Sequence, residues 1–148
     1  MNSRRKASVA LLALVFIVAL VYATPVEAKK PLRWNYVNTW VGSPEIAWMG
    51  PIYGNGIEGT LYWFNEWFWI SDEGDQHAGG IWWIDWGNDG STDLSGTHKV
   101  VATMTWQCNI NGRVTAGSPD LIGRKIHTLF QVELIDGVPT IISVLQIN

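Results

Sequence analysis

No stretch of a dozen residues after position 28 carries the 3.6-residue period of an amphipathic helix, whereas several alternate between apolar and polar residues. A period of two puts successive side chains on opposite faces of a strand, so the chain must fold as sheet. The clearest case sets Val100, Ala102, Met104, Trp106, Cys108 and Ile110 on one face, with Val101, Thr103, Thr105, Gln107 and Asn109 on the other. Read this way, the strand ends at Asn111-Gly112, a pair suited to the positive φ angles of a type I′ turn, and Arg113-Val114-Thr115 begins the return. Trp106, in mid-strand on the apolar face, is expected to be buried.

A second alternation follows Pro119-Asp120. It turns Ile126, Thr128, Phe130, Val132 and Leu134 one way and Lys125, His127, Gln131 and Glu133 the other. Asp136-Gly137 is a further hairpin turn, and Thr140 to Ile147 a last β-branched strand. Upstream, Leu32–Val41, Glu45–Tyr53, Ile57–Ile70 and Ile81–Trp86 read as strands, with a break at Gly42-Ser43-Pro44. About eight strands joined by Gly, Asn and Asp turns fit an all-β fold. A single antiparallel barrel is favoured over a β-sandwich, because closure removes the exposed edges of a very aromatic sheet.

The first 28 residues are read as a signal peptide, and residues 29–148 as one β-barrel domain. Arg4, Arg5 and Lys6 precede the unbroken apolar run Val9–Ala23, and Val26-Glu27-Ala28 places cleavage before Lys29. The run is shorter than a comfortable membrane span, so cleavage is favoured over an anchor. The mature chain is expected to be secreted or extracytoplasmic, without stable insertion in a membrane. Cleavage removes three bases and one acid and leaves a net charge of −5, which offers nothing to nucleic acid. Cys108 is the only cysteine, which excludes an internal disulfide framework and a cysteine-based zinc site; it reads as a small buried hydrophobe.

Gly54-Asn55-Gly56-Ile57-Glu58-Gly59 matches a dinucleotide fingerprint as a string. A strand follows it where the fingerprint needs a helix N-terminus, so it reads as a turn and bulge. The ten tryptophans are the unusual feature, five of them between Trp63 and Trp83. Along Ile57–Ile70 one face carries Ile57, Leu61, Trp63, Asn65, Trp67 and Trp69, and the other Glu58, Thr60, Tyr62, Phe64, Glu66 and Phe68. Glu58 and Glu66 favour the second face as the solvent side and the first as the inner one, yet the second still carries Tyr62, Phe64 and Phe68, so both faces are sticky. Packing accounts for part of this, and a binding surface built on Trp63, Trp67, Trp69, Trp82 and Trp83 is the functional alternative.

Asp85, Asp89 and Asp93 occupy the first, fifth and ninth places of a calcium-loop pattern. Gly87 and Gly96 replace ligands at the third and twelfth, so a solvated turn is favoured over a weak calcium site and Asp85 is expected to carry little stability. No other cofactor is implied. Of the three histidines, His77, His98 and His127, the last stands out because it shares a strand face with Lys125 and Glu133 and would point into the lumen if the facing of that strand is reversed.

The segments Gly112-Arg113-Val114-Thr115, Leu121 to His127 and Gly137-Val138-Pro139-Thr140, with glycines at 50, 54, 56 and 59, resemble small exported β-proteins. Over residues 45–148 the glycine-spaced strands are similar to the allene-oxide-cyclase-like and dirigent-like barrels. That resemblance implies an eight-stranded antiparallel barrel with an apolar cavity; no catalytic motif of the family matches, so no active site is carried over. The leading expectation is a non-catalytic barrel that binds an apolar or aromatic small molecule, or a carbohydrate, through a tryptophan-rich lumen or mouth, with His127 nearby. Self-association through the same rings is the second reading, and cyclase or isomerase chemistry in an apolar cavity the third.

Overall fold

The computed structural model describes residues 29–42 and 47–148; the expected signal peptide and its cleavage site lie outside the described residues, as do Ser43 and Pro44 of the expected break and Glu45 at the expected strand start. Eight strands follow one another: β1 Leu32–Gly42, β2 Ala47–Gly54, β3 Ile57–Ile70, β4 Gln76–Trp86, β5 Leu94–Ala102, β6 Gln107–Ala116, β7 Lys125–Ile135 and β8 Val138–Ile147. Each pairs antiparallel with the next, and β8 returns to β1 to close the barrel. Among the described residues no strand edge is left open, which suits a wall this apolar.

Turn chemistry sets several of the connections. Asn55 and Gly56 both have positive φ (54° and 77°), as do Asp136 and Gly137 (51° and 80°), so two-residue hairpins form where the sequence signals them. The Asn111-Gly112 signal misleads. The expected single strand through Val100–Ile110 is broken by a turn at Thr103–Trp106, and Asn111-Gly112 lies inside β6. Thr103 and Trp106 hold that turn: Trp106 N–H donates to the Thr103 carbonyl at 2.9 Å, and Thr103 N–H to that of Gln107 at 2.9 Å. Trp106 has φ 60° and is half exposed rather than buried. Gly112 is needed for closeness, because a Cβ there would stand 2.0 Å from the Thr97 carbonyl oxygen and 3.0 Å from Ile126 Cγ1.

The strand Ile57–Ile70 also departs from a single alternation. Leu61, Trp63 and Asn65 point inward as expected, but the register with β4 shifts between Asn65 and Trp67. This bulge at Glu66 exchanges the faces beyond it, so that Phe68 turns inward and Trp67 and Trp69 turn out. Two glycines opposite make room for it. A Cβ on Gly80 would lie 2.1 Å from the Phe64 carbonyl oxygen, and one on Gly79 2.3 Å from the Trp67 ring.

Packing fills the barrel unevenly. Trp34, Tyr36, Ile84, Leu94, Val114, Ile126, Leu145 and Ile147 close the end where β1 begins, with Trp34 and Trp86 ring centroids 5.6 Å apart. The other end, where β3 meets β4, β5 meets β6 and β7 meets β8, is not filled by the described residues. We call it the open end.

Candidate functional site

Each strand contributes inward side chains to the open end by its alternation. Trp40 comes from β1, Trp48 from β2, Trp63, Asn65 and Phe68 from β3, and Gln76 and Ala78 from β4. His98, Val100 and Ala102 come from β5, Cys108 and Ile110 from β6, Phe130 and Val132 from β7 and Ile141 from β8. Together they enclose a cavity of about 160 Å³. Apolar voids of this size, about 150 Å³, hold benzene. Outward it opens into a vestibule of about 470 Å³, bounded by Trp40, Trp48, Trp106, Val132, Leu134 and Pro139. Trp40 and Trp48 meet edge to face at 5.4 Å between ring centroids.

The polar inventory of the cavity wall is small. His98 is almost wholly buried, and its Nε2 lies 2.8 Å from Asn65 Oδ1. An amide oxygen only accepts, so Nε2 carries the proton and Nδ1 is left a bare acceptor. Among the described residues Nδ1 has no partner, and neither has the buried Trp63 Nε1, whose ring meets His98 edge-on at 5.1 Å. Burial pushes the His98 pKa down to about 4, so the imidazole is neutral at ordinary pH. Burial likewise pushes the Cys108 thiol up to about 11, which keeps it protonated; it donates to the Trp106 carbonyl at 3.5 Å. Deeper in the lumen, Tyr36 Oη lies 3.0 Å from Thr128 Oγ1, which is 3.0 Å from Ser143 Oγ, and Ser143 donates to the Leu129 carbonyl. Burial raises the Tyr36 pKa further above its ordinary value.

The residues singled out in the sequence fall in four places. Trp63 lines the cavity, and Trp82 lies in the core beside it at 6.1 Å. Trp67, Trp69 and Trp83 stand on the outer wall: Trp67 against Gly79, Trp69 stacked on His77 at 4.0 Å, and Trp83 stacked on Tyr62 at 4.9 Å. His127 is also outside, with Nδ1 3.0 Å from Asn111 Oδ1. Asp85, Asp89 and Asp93 belong to the β4–β5 loop at the closed end.

Those carboxylates are engaged with the loop itself. Asp85 is buried and accepts from the backbone N–H groups of Asp89 at 3.1 Å and Gly90 at 2.9 Å. Asp93 accepts from Trp86 N–H at 2.7 Å, and Asp89 from Ser91 N–H at 2.9 Å. Asp85 is therefore a structural anchor, contrary to the expectation that it carries little stability. Among the described residues no group of three His, Cys, Asp or Glu side chains is placed to hold a metal ion.

The sequence reading assigned none of Trp40, Trp48, Trp106, Phe68 and His98 to the site. For His98 the signal was present, because Leu94, Gly96, His98, Val100 and Ala102 alternate on one face. Comparison of the chain with models of known protein families, with curated proteins and with solved structures found no match.

Proposed function

We propose that this chain is an exported barrel that binds a small apolar or aromatic molecule end-on in its lumen, without catalysing a reaction on it. The observation that carries the reading is the 160 Å³ cavity behind a vestibule edged by Trp40, Trp48 and Trp106. A packed small barrel fills its interior with side chains, and cavities lined by apolar rings with a few polar groups are the usual form of a small-molecule site. Ligand selection would rest on Trp63, Phe68 and Phe130 for shape and on Asn65 and Gln76 for orientation.

The test is calorimetric titration of the protein with toluene, a probe near the cavity's size. Binding should saturate at one molecule per chain. Trp48→Ala should weaken it by about 1–2 kcal/mol, the scale of losing one aromatic contact, and Trp67→Ala on the outer wall should leave it unchanged. Equal losses in the two variants, or no saturable binding, would remove this reading.

A second reading has its own observation. Trp67 and Trp69 are about half exposed on the outer wall, with Ile81 beside them on β4. Self-association would bury that face, and it predicts that Trp69→Ala lowers the mass in solution while toluene binding persists.

A further inference from the structure

Both ends of the barrel carry acids, but among the described residues the open end carries them without bases. The segments at the open end carry Asp72, Glu73 and Asp75 in the β3–β4 loop and Glu133 and Asp136 about the β7–β8 turn. Among the described residues, no Lys or Arg lies in those segments. Toward the closed end the bases Lys29, Lys30, Arg33, Arg113, Arg124 and Lys125 are mixed with the acids Glu58, Asp85, Asp89, Asp93 and Asp120, and Lys99 sits within β5.

The acidic segments adjoin the tryptophan vestibule. Gly74 of the acidic loop packs against Met104, in the same turn as Trp106; a Cβ on it would stand 3.0 Å from the Met104 sulfur. Asp136 stands between Leu134 and Pro139, both of which bound the vestibule. An apolar chamber is thus reached through indole rings under a one-signed rim. Indole faces attract cations, and a low-dielectric cleft edged by one sign of charge draws in the opposite sign.

We infer that the ligand of this lumen is a small organic cation, with an apolar body in the cavity and a substituted ammonium group at the mouth among Trp40, Trp48 and Trp106. This rests on the lumen-binding reading above and adds the ligand's charge. The ring would occupy the chamber beside Trp63 and Phe68. The positive group would stay in the vestibule against the indole faces, in the field of the acidic segments that adjoin it.

Three probes of similar size separate charge from shape: benzyltrimethylammonium, its uncharged isostere neopentylbenzene, and phenylacetate. Dissociation constants are read from tryptophan emission at low and high NaCl. The ammonium should bind roughly tenfold more tightly than the carboxylate at low salt, and salt should narrow the gap. In the rim variant Glu73→Gln/Asp75→Asn/Glu133→Gln/Asp136→Asn the gap should close while neopentylbenzene binds as before. These side chains are at the surface, and an unchanged melting temperature confirms that the variant is folded. A carboxylate that binds as well as the ammonium, or a preference that survives rim neutralisation, would overturn the inference. If neopentylbenzene binds and charge makes no difference, only the inference falls; if none of the three binds, the lumen-binding reading falls with it.

Discussion

Filling the cavity should strengthen the fold and abolish binding together, and Ala102→Leu is the substitution that does it. Ala102 is buried at the end of β5 and its side chain lines the cavity. At about 24 cal/mol per Å³, a sealed void of this volume would cost about 4 kcal/mol. The three added carbons of leucine, at about 0.8 kcal/mol for each buried CH2, would regain about 2 kcal/mol. Because the cavity is open at one end, water already relieves part of the loss, and the expected gain is about 1–2 kcal/mol. For a domain of this size that is a rise of roughly 4–8 °C in melting temperature, readable by calorimetry. Toluene affinity should fall at least tenfold in the same protein. A lower melting temperature with toluene binding intact would show that the space beside Ala102 is already occupied and would refute the reasoning.

Further substitutions test the parts separately. Trp82→Ala removes a fully buried ring and should cost about 3–5 kcal/mol in chemical denaturation, whereas Trp106→Ala, in an exposed turn, should cost less than about 1.5 kcal/mol; equal costs would restore Trp106 to the core. Asp85→Ala should destabilise by about 1–3 kcal/mol even in chelator, since two backbone amides lose their acceptor; an unchanged midpoint would return the loop to a solvated turn. Gly80→Ala should cost about 1–3 kcal/mol, because its Cβ meets backbone at Phe64; a neutral result would deny the bulge. His98 has a folded pKa near 4, below its ordinary 6.5, so the unfolded chain binds the proton first. Stability should therefore be unaffected above pH 6.5 and decline as pH falls toward 4, by on the order of 3 kcal/mol in all. Measured against His98→Gln, that decline should disappear; an identical slope in both proteins would mean that His98 is not held neutral.

Local chemistry made much of the barrel readable. Asn55-Gly56 and Asp136-Gly137 demand positive φ, and the alternation from Ile126 to Val132 fixes an inward face for β7. The failures came where tertiary closeness, not local preference, decides. Asn111-Gly112 satisfies a hairpin signal, yet Gly112 is there because β5 passes too near for a side chain. The true turn at Thr103–Trp106 has no Gly, Asn or Asp to mark it. Nothing at Glu66 announces a bulge; its cause is the Gly79-Gly80 pair on another strand, and that single offset moved Trp67 and Trp69 from the expected inner face to the outside. The cavity was less legible still. Trp40 and Trp48 are cross-strand partners on β1 and β2, but Trp106 is remote from both in sequence and joins them only when the barrel closes. An uncertain strand face was enough to put His127 among the candidates while His98, on a well-defined inward row, was passed over.

The central claim is that the lumen is open and apolar at one end, and a crystal of the protein pressurised with xenon tests it most directly. Xenon enters apolar cavities of this volume without needing a polar partner. The expected result is a xenon site inside the barrel, among Trp63, Phe68 and Phe130, that disappears in Ala102→Leu. A lumen closed by side chains, with xenon only on the outer wall beside Trp67 and Trp69, would contradict it.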